Sequence, residues 1–100
     1  MNRLVLAARL VERGAMRYTP AGLPALDLQL KHESEVSEDG HPRKVSMEIK
    51  AVAIGEITRA AFALALGAPG TFAGFLAASR NGKGLVFHVT DIVAAEPEPV

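Results

Sequence analysis

Between Leu26 and Glu33, apolar and polar residues take turns: Leu26, Leu28 and Leu30 against Asp27, Gln29 and Lys31, with His32 in the next apolar place. Side chains of an extended chain point alternately to its two faces, so this pattern dictates a strand with one buried and one wet side. Lys44 to Ala51 carries the alternation again in the opposite phase. Val45, Met47, Ile49 and Ala51 share one face, and Lys44, Ser46, Glu48 and Lys50 share the other. The polar segment between them, Glu35 to Pro42, contains Ser-Glu-Asp-Gly and is expected to be a solvated, mobile loop joining two antiparallel strands.

The remaining elements follow from punctuation and period. A first strand is expected over Arg3 to Glu12, with Leu4, Leu6, Ala8 and Leu10 on one face. Gly14, Pro20, Gly22 and Pro24 make Arg13 to Pro24 a turn-rich connection. Ile57, Ala60, Ala61 and Leu64 recur at helical spacing within Glu56 to Leu66, and Gly67 and Pro69 supply a stop. Thr71 to Ser79 and Leu85 to Ala94 are expected as two further strands around Asn81-Gly82, a hairpin signal. Five short strands with one helix between the third and fourth is the order of the all-β OB-fold, a five-stranded Greek-key barrel. Other small barrels and α+β sandwiches share that order and stay open. The expectation is one OB-fold domain over 1–95, followed by a short flexible acidic tail, 96–100.

Composition narrows the function classes. One hundred residues suit one core and not two, and 49% apolar content is too high for a disordered chain. The absence of cysteine removes disulfides, thiolate metal sites and cysteine nucleophiles. Eleven basic residues cancel eleven acidic ones, so any attraction for nucleic acid has to come from local patches. Ala60 to Ser79 is uncharged, but Gly67, Pro69, Gly70 and Gly74 interrupt it, and a membrane span is not expected. Five apolar residues before Arg9 are too few for a secretory signal, so a cytoplasmic location is expected. His32, His41 and His88 are scattered, so no metal or other cofactor is expected. No acid, base or nucleophile stands at a spacing that suggests catalysis, so an enzyme is not expected either. At least three of Phe62, Phe72, Phe75 and Phe87 lie in apolar stretches, which favours the core over stacking platforms for them.

A family resemblance adds to this. Asn2-Arg3-Leu4-Val5-Leu6, the turn Pro20-Ala21-Gly22-Leu23-Pro24 with His32 eight residues on, Gly74-Phe75-Leu76, Arg80-Asn81-Gly82 and Val86-Phe87-His88 together resemble the primosomal replication protein N (PriB) family of bacterial replication restart. The likeness runs from about Asn2 to Ala94. General single-stranded DNA-binding proteins resemble this family, but they carry a longer chain with an acidic tail, and the stop soon after the last strand favours the primosomal family. The resemblance implies a homodimeric OB-fold protein that binds single-stranded DNA and bridges a restart helicase and a helicase-loading factor. It implies DNA contacts at Arg17, Arg80 and Lys83. It also marks two departures. A basic position after the strand-two histidine is Glu33 here, and an aromatic position on strand three falls near Ser46. Losing one stacked ring removes about 1–3 kcal/mol of single-strand binding.

Residue chemistry alone points to the same surface. A sequence-tolerant single-strand site needs cations for phosphates and rings for bases. The candidates are Arg17, Tyr18, Lys31, Arg43, Lys44, Lys50, Arg80 and Lys83, enough to neutralise about four to six phosphates. The acids between Glu33 and Asp39 oppose DNA and suit a basic protein. Apolar residues on both faces of the first strand (Val5, Ala7 and Val11 against Leu4, Leu6 and Leu10) invite pairing with a second copy. A general single-stranded DNA-binding protein and a protein-only interaction module stand as alternative functions.

Overall fold

The alternating Leu residues of the second expected strand point inward along its whole length. Leu26 and Leu30 are fully buried and Leu28 nearly so, while Asp27 is exposed. A computed structural model of the chain describes residues 1–95, and the acidic tail expected at 96–100 lies outside them. The elements are β1 (Leu4–Arg13), β2 (Arg17–Tyr18), β3 (Pro24–Glu38), β4 (His41–Ile54), α1 (Ile57–Ala63), β5 (Pro69–Ala78) and β6 (Leu85–Ala94). Ladder pairing runs β1-β5-β6-β4-β3, and β1 then pairs with β3, which closes a five-stranded barrel. This is the expected Greek-key OB barrel, with its helix between the third and fourth long strands. The two-residue β2 is an addition, laid against Pro24 and Ala25 at the edge of β3.

Closure rests on β1. Its residues Leu4–Arg9 pair with β5, and Arg9–Arg13 pair with β3 on the other side. Register slips between Leu10 and Glu12, so Val11 is an extra residue that bends the strand from one neighbour to the other. Leu6, Ala8 and Leu10 point into the barrel. There they meet Leu26, Leu28, Leu30, Ala51, Ala53, Phe72, Phe87 and Val89 in one core.

Parallel strands β4 and β6 pair through Ala51–Ala53 and Phe87–Val89, so the chain between them has to cross over. The crossover begins with α1, which buries Thr58 and Ala61 over one mouth of the barrel. Thr58 satisfies its buried hydroxyl by donating to the Gly55 carbonyl at 2.7 Å. At the other end Arg13 donates to the carbonyls of Ala61 and Leu64, groups a helix terminus leaves without partners. Seven residues make too short a helix to stand alone, so these contacts and the buried face hold it.

Two expectations are corrected. The segment 35–42 is not a loop. The β3–β4 ladder continues without a break from Ala25↔Ile54 to Glu38↔His41, and only Asp39 and Gly40 turn the chain. Both have positive φ (50° and 78°), the conformation a two-residue type I′ hairpin demands and Asp-Gly supplies. The outer part of this ribbon, from about Glu33 to Glu48, is exposed or half-buried. The hairpin expected around Asn81-Gly82 forms, β5 and β6 pairing antiparallel as far as Ala78↔Leu85 with six residues between them. Finally, Phe72 and Phe87 are core, but Phe62 and Phe75 are 57% and 39% exposed. Phe62 lies under the Arg13 guanidinium, 5.2 Å from its ring centre, and Phe75 stacks on His88 with centroids 4.8 Å apart.

Gly74 sits where β6 bulges: Ala73 pairs with Asp91 and Gly74 with Val89, leaving Thr90 extra. A side chain at Gly74 would run into the His88 carbonyl and crowd the Thr90 amide. Gly74→Ala is therefore expected to lower unfolding stability by about 1–3 kcal/mol. Urea denaturation followed by circular dichroism measures this, and an unchanged midpoint would contradict the packing described.

Candidate nucleic-acid interface

A groove of about 760 Å³ crosses the outer face of β3 and β4. Two connections wall it: the β1–β3 connection, 14–23, and the β5–β6 connection, 79–84. Its floor holds Gln29, Lys50 and Val52, and its rim holds Arg17, Arg80, Asn81 and Lys83. The floor exists because the alternation that buries Leu28 and Ala51 turns Gln29 and Lys50 outward as a ladder pair.

Both walls are braced by their own hydrogen bonds. In the first, the amides of Thr19 and Gly22 bond across to Leu23 and Thr19 carbonyls at 2.8 Å each. Gly14 donates its N–H to the Asp27 carbonyl at 2.9 Å, which fastens the start of this wall to β3. In the second, the Lys83 amide donates to Asn81 Oδ1 at 2.9 Å, and the Ser79 amide donates to the Gly84 carbonyl at 3.1 Å. Arg80 and Lys83 thus project from a shaped turn.

Of the eight candidate residues, Arg17, Lys50, Arg80 and Lys83 come together on this groove. The other four do not. Tyr18 follows Arg17 on β2, so its 69%-exposed ring points to the opposite face. Lys31 lies beside a smaller cleft with Ala7, Arg9 and Glu33. Arg43 and Lys44 lie on the ribbon, where Arg43 donates to Glu38 at 2.7 Å and Lys44 pairs across the ladder with Glu35. Glu33 holds Arg9 at 3.1 Å, and Ser46 stands opposite it. Two groove residues with binding chemistry, Arg13 and His88, lie outside the candidate set. Arg13 reaches the groove while holding α1, and His88 brings a ring that stacks on Phe75. The apolar-versus-polar pattern of β6 could not separate His88 from its core neighbours, because it lies between buried Phe87 and Val89.

Arg17 is not free. Its Nε and Nη2 donate to the two carboxylate oxygens of Asp27 at 3.0 and 2.9 Å, a two-pronged pair. The hydrogen bond from Arg17 draws the Asp27 carboxyl below its usual range against a smaller opposing effect of burial, and the charges of Arg17 and Arg80 add to the lowering. The same bond raises the Arg17 guanidinium above its already high value. A depressed carboxylate stabilises the fold fully above the ordinary range, near about pH 4, and loses that contribution as pH falls through its lower folded value. Exposed as this pair is, the contribution is at most about 1 kcal/mol. Arg17→Ala is expected to move the Asp27 titration upward, as carboxyl chemical shifts in NMR would report; a midpoint that stays put would remove Arg17 as the cause.

Among the described residues no cluster of three metal-binding side chains occurs, and no helix is long and apolar enough to cross a membrane. Comparison with known proteins places this geometry. The profile of a family described as "another single-strand binding protein family" matches residues 2–91. A curated relative from Bordetella pertussis, the replication restart protein PriB, is 55% identical over 81 residues, 81% of this chain and 76% of the relative. The solved structure of PriB from Ralstonia solanacearum superposes with a TM-score of 0.88 at 38% identity, covering 96% of this chain and 99% of that one. The single-stranded DNA binding protein of Thermus aquaticus follows at TM-score 0.74 and 26% identity, over 96% of this chain and 50% of its own. The chain belongs to the replication restart protein PriB family, within the single-strand binding proteins.

Proposed function

We propose that the chain binds single-stranded DNA in its outer groove and serves replication restart in the cytoplasm by bridging that DNA, a restart helicase and a helicase-loading protein. The observation that carries the DNA part is the convergence of Arg17, Lys50, Arg80 and Lys83 on one groove of an otherwise neutral molecule. Cations at the rim suit phosphates, and the partly exposed His88–Phe75 stack offers an aromatic surface in place of the one that Ser46 lacks. The family supports a binding role without turnover.

A site of this kind obeys a salt law. With Lys50, Arg80 and Lys83 meeting phosphates and Arg17 held by Asp27, the affinity for a single strand falls with a log–log slope of about −2. Fluorescence anisotropy with labelled oligo-dT should show that slope for the wild type and about a third of it for Arg80→Ala/Lys83→Ala. A double variant with an unaltered slope would place the DNA elsewhere. The ribbon pairs each cation with an acid, which favours a protein contact there over DNA. Charge reversal at Arg43 and Lys44 is the corresponding probe: loss of helicase retention with intact oligo-dT binding supports bridging through the ribbon.

The proposal includes a homodimer. Over Leu4–Ala8 the side of β1 away from β5 has no strand partner among the described residues, and Val5 there is 55% exposed. A strand edge so composed favours self-pairing. Light scattering should give twice the chain mass, and Val5→Arg should halve it without lowering the melting temperature. A wild-type mass of one chain, or of four with long strands wrapped, would replace this assembly.

A further inference from the structure

The groove contains a charge that works against its proposed ligand. Two carboxylates, Glu12 and Asp27, line it alongside the cations, and Asp27 occupies Arg17 through a fork of two hydrogen bonds. A phosphate would claim a guanidinium through that same fork. Asp27 cannot withdraw easily. It belongs to β3 in register with Val52 of β4, and its carbonyl holds the Gly14 amide. Its backbone is therefore as fixed as the barrel itself. The arriving strand has to displace this carboxylate or lie beside it, and Arg80 is close enough to feel the same charge.

We propose that Asp27 is a built-in competitor for the nucleic-acid phosphate, and that it sets how tightly the groove holds single-stranded DNA by occupying Arg17. This rests on the groove being the DNA site. It follows that the binding is weakened by design of the sequence at one position, and that one neutral substitution releases a further phosphate contact.

The test is anisotropy with labelled thirty-residue oligo-dT across a salt series, on wild type, Asp27→Asn, Asp27→Glu and Arg17→Ala/Asp27→Asn. Asp27→Asn keeps the shape and removes the charge. It is expected to bind about three- to tenfold tighter at low salt, with a slope steeper by about 0.7, one more counterion released. Asp27→Glu should keep the wild-type slope, and the double variant should lose the gain. Glu35→Gln, which removes an equal charge outside the groove, should leave the slope unchanged. Thermal melting by circular dichroism verifies folding, and Asp27→Ser serves in place of Asp27→Asn if the latter melts early. Equal or weaker binding by a folded Asp27→Asn would show that Asp27 steadies Arg17 for DNA, and the inference fails alone. If the wild type binds no oligo-dT at low salt, the groove reading falls and takes this inference with it.

Discussion

One strand answers to two neighbours, and the barrel depends on it. β1 gives its first half to β5 and its second half to β3, turning between them at Val11. Without that turn the sheet would stay open and its inner face of Leu, Ala and Phe would meet water. The bend also brings Arg13 to the end of α1, where it holds the helix over the barrel mouth. A hydrogen bond from Gly67 N–H to the Leu10 carbonyl and one from Leu10 N–H to the Ala68 carbonyl tie the crossover to the same point. Barrel closure, helix anchoring and the start of the groove's first wall thus share about five residues.

The molecule is neutral, yet its charges are far from evenly used. Arg9 lies against Glu33, Arg17 against Asp27 and Arg43 against Glu38, each exposed and each a local cancellation. Such pairs add little stability. They leave Lys50, Arg80 and Lys83 as groove cations outside these three pairs. His32 makes a further local pairing. Its Nδ1 lies 2.6 Å from the Ala7 carbonyl, which can only accept, so that nitrogen donates, and Nε2 lies 2.8 Å from the Ser34 hydroxyl. A ring in an apolar place of the alternation thereby occupies one carbonyl on the open side of β1.

The barrel was legible because its signals are local and periodic. The Leu-Asp-Leu-Gln-Leu alternation fixes which side of β3 is buried, and β4 has to match it in register. The Asp39-Gly40 turn was equally local, but the polar residues around it hid a ladder whose both faces meet solvent. Phe62 and Phe75 were misplaced because composition registers an aromatic in an apolar run and not the Arg13 or His88 that covers it. The site was half legible. Arg17, Arg80 and Lys83 flank turns that sequence marks plainly, and Lys50 alternates outward. Lys31 and Lys44 share the same polar phase and Arg43 adjoins them on the opposite face, but distance along a long ribbon carries all three off, and alternation holds no measure of distance. Nor could it show that Arg17 is taken by Asp27, ten residues away.

The long β3–β4 ribbon stands apart from everything below it. Its outer ladder touches none of the buried core, and two residues alone reverse it. Adding or removing one residue from each arm leaves the inward and outward sense of every barrel position intact, whereas a single unmatched residue would invert one arm. Change in chain length can therefore accumulate here in pairs, giving the molecule an appendage whose reach evolves independently of the fold that carries it.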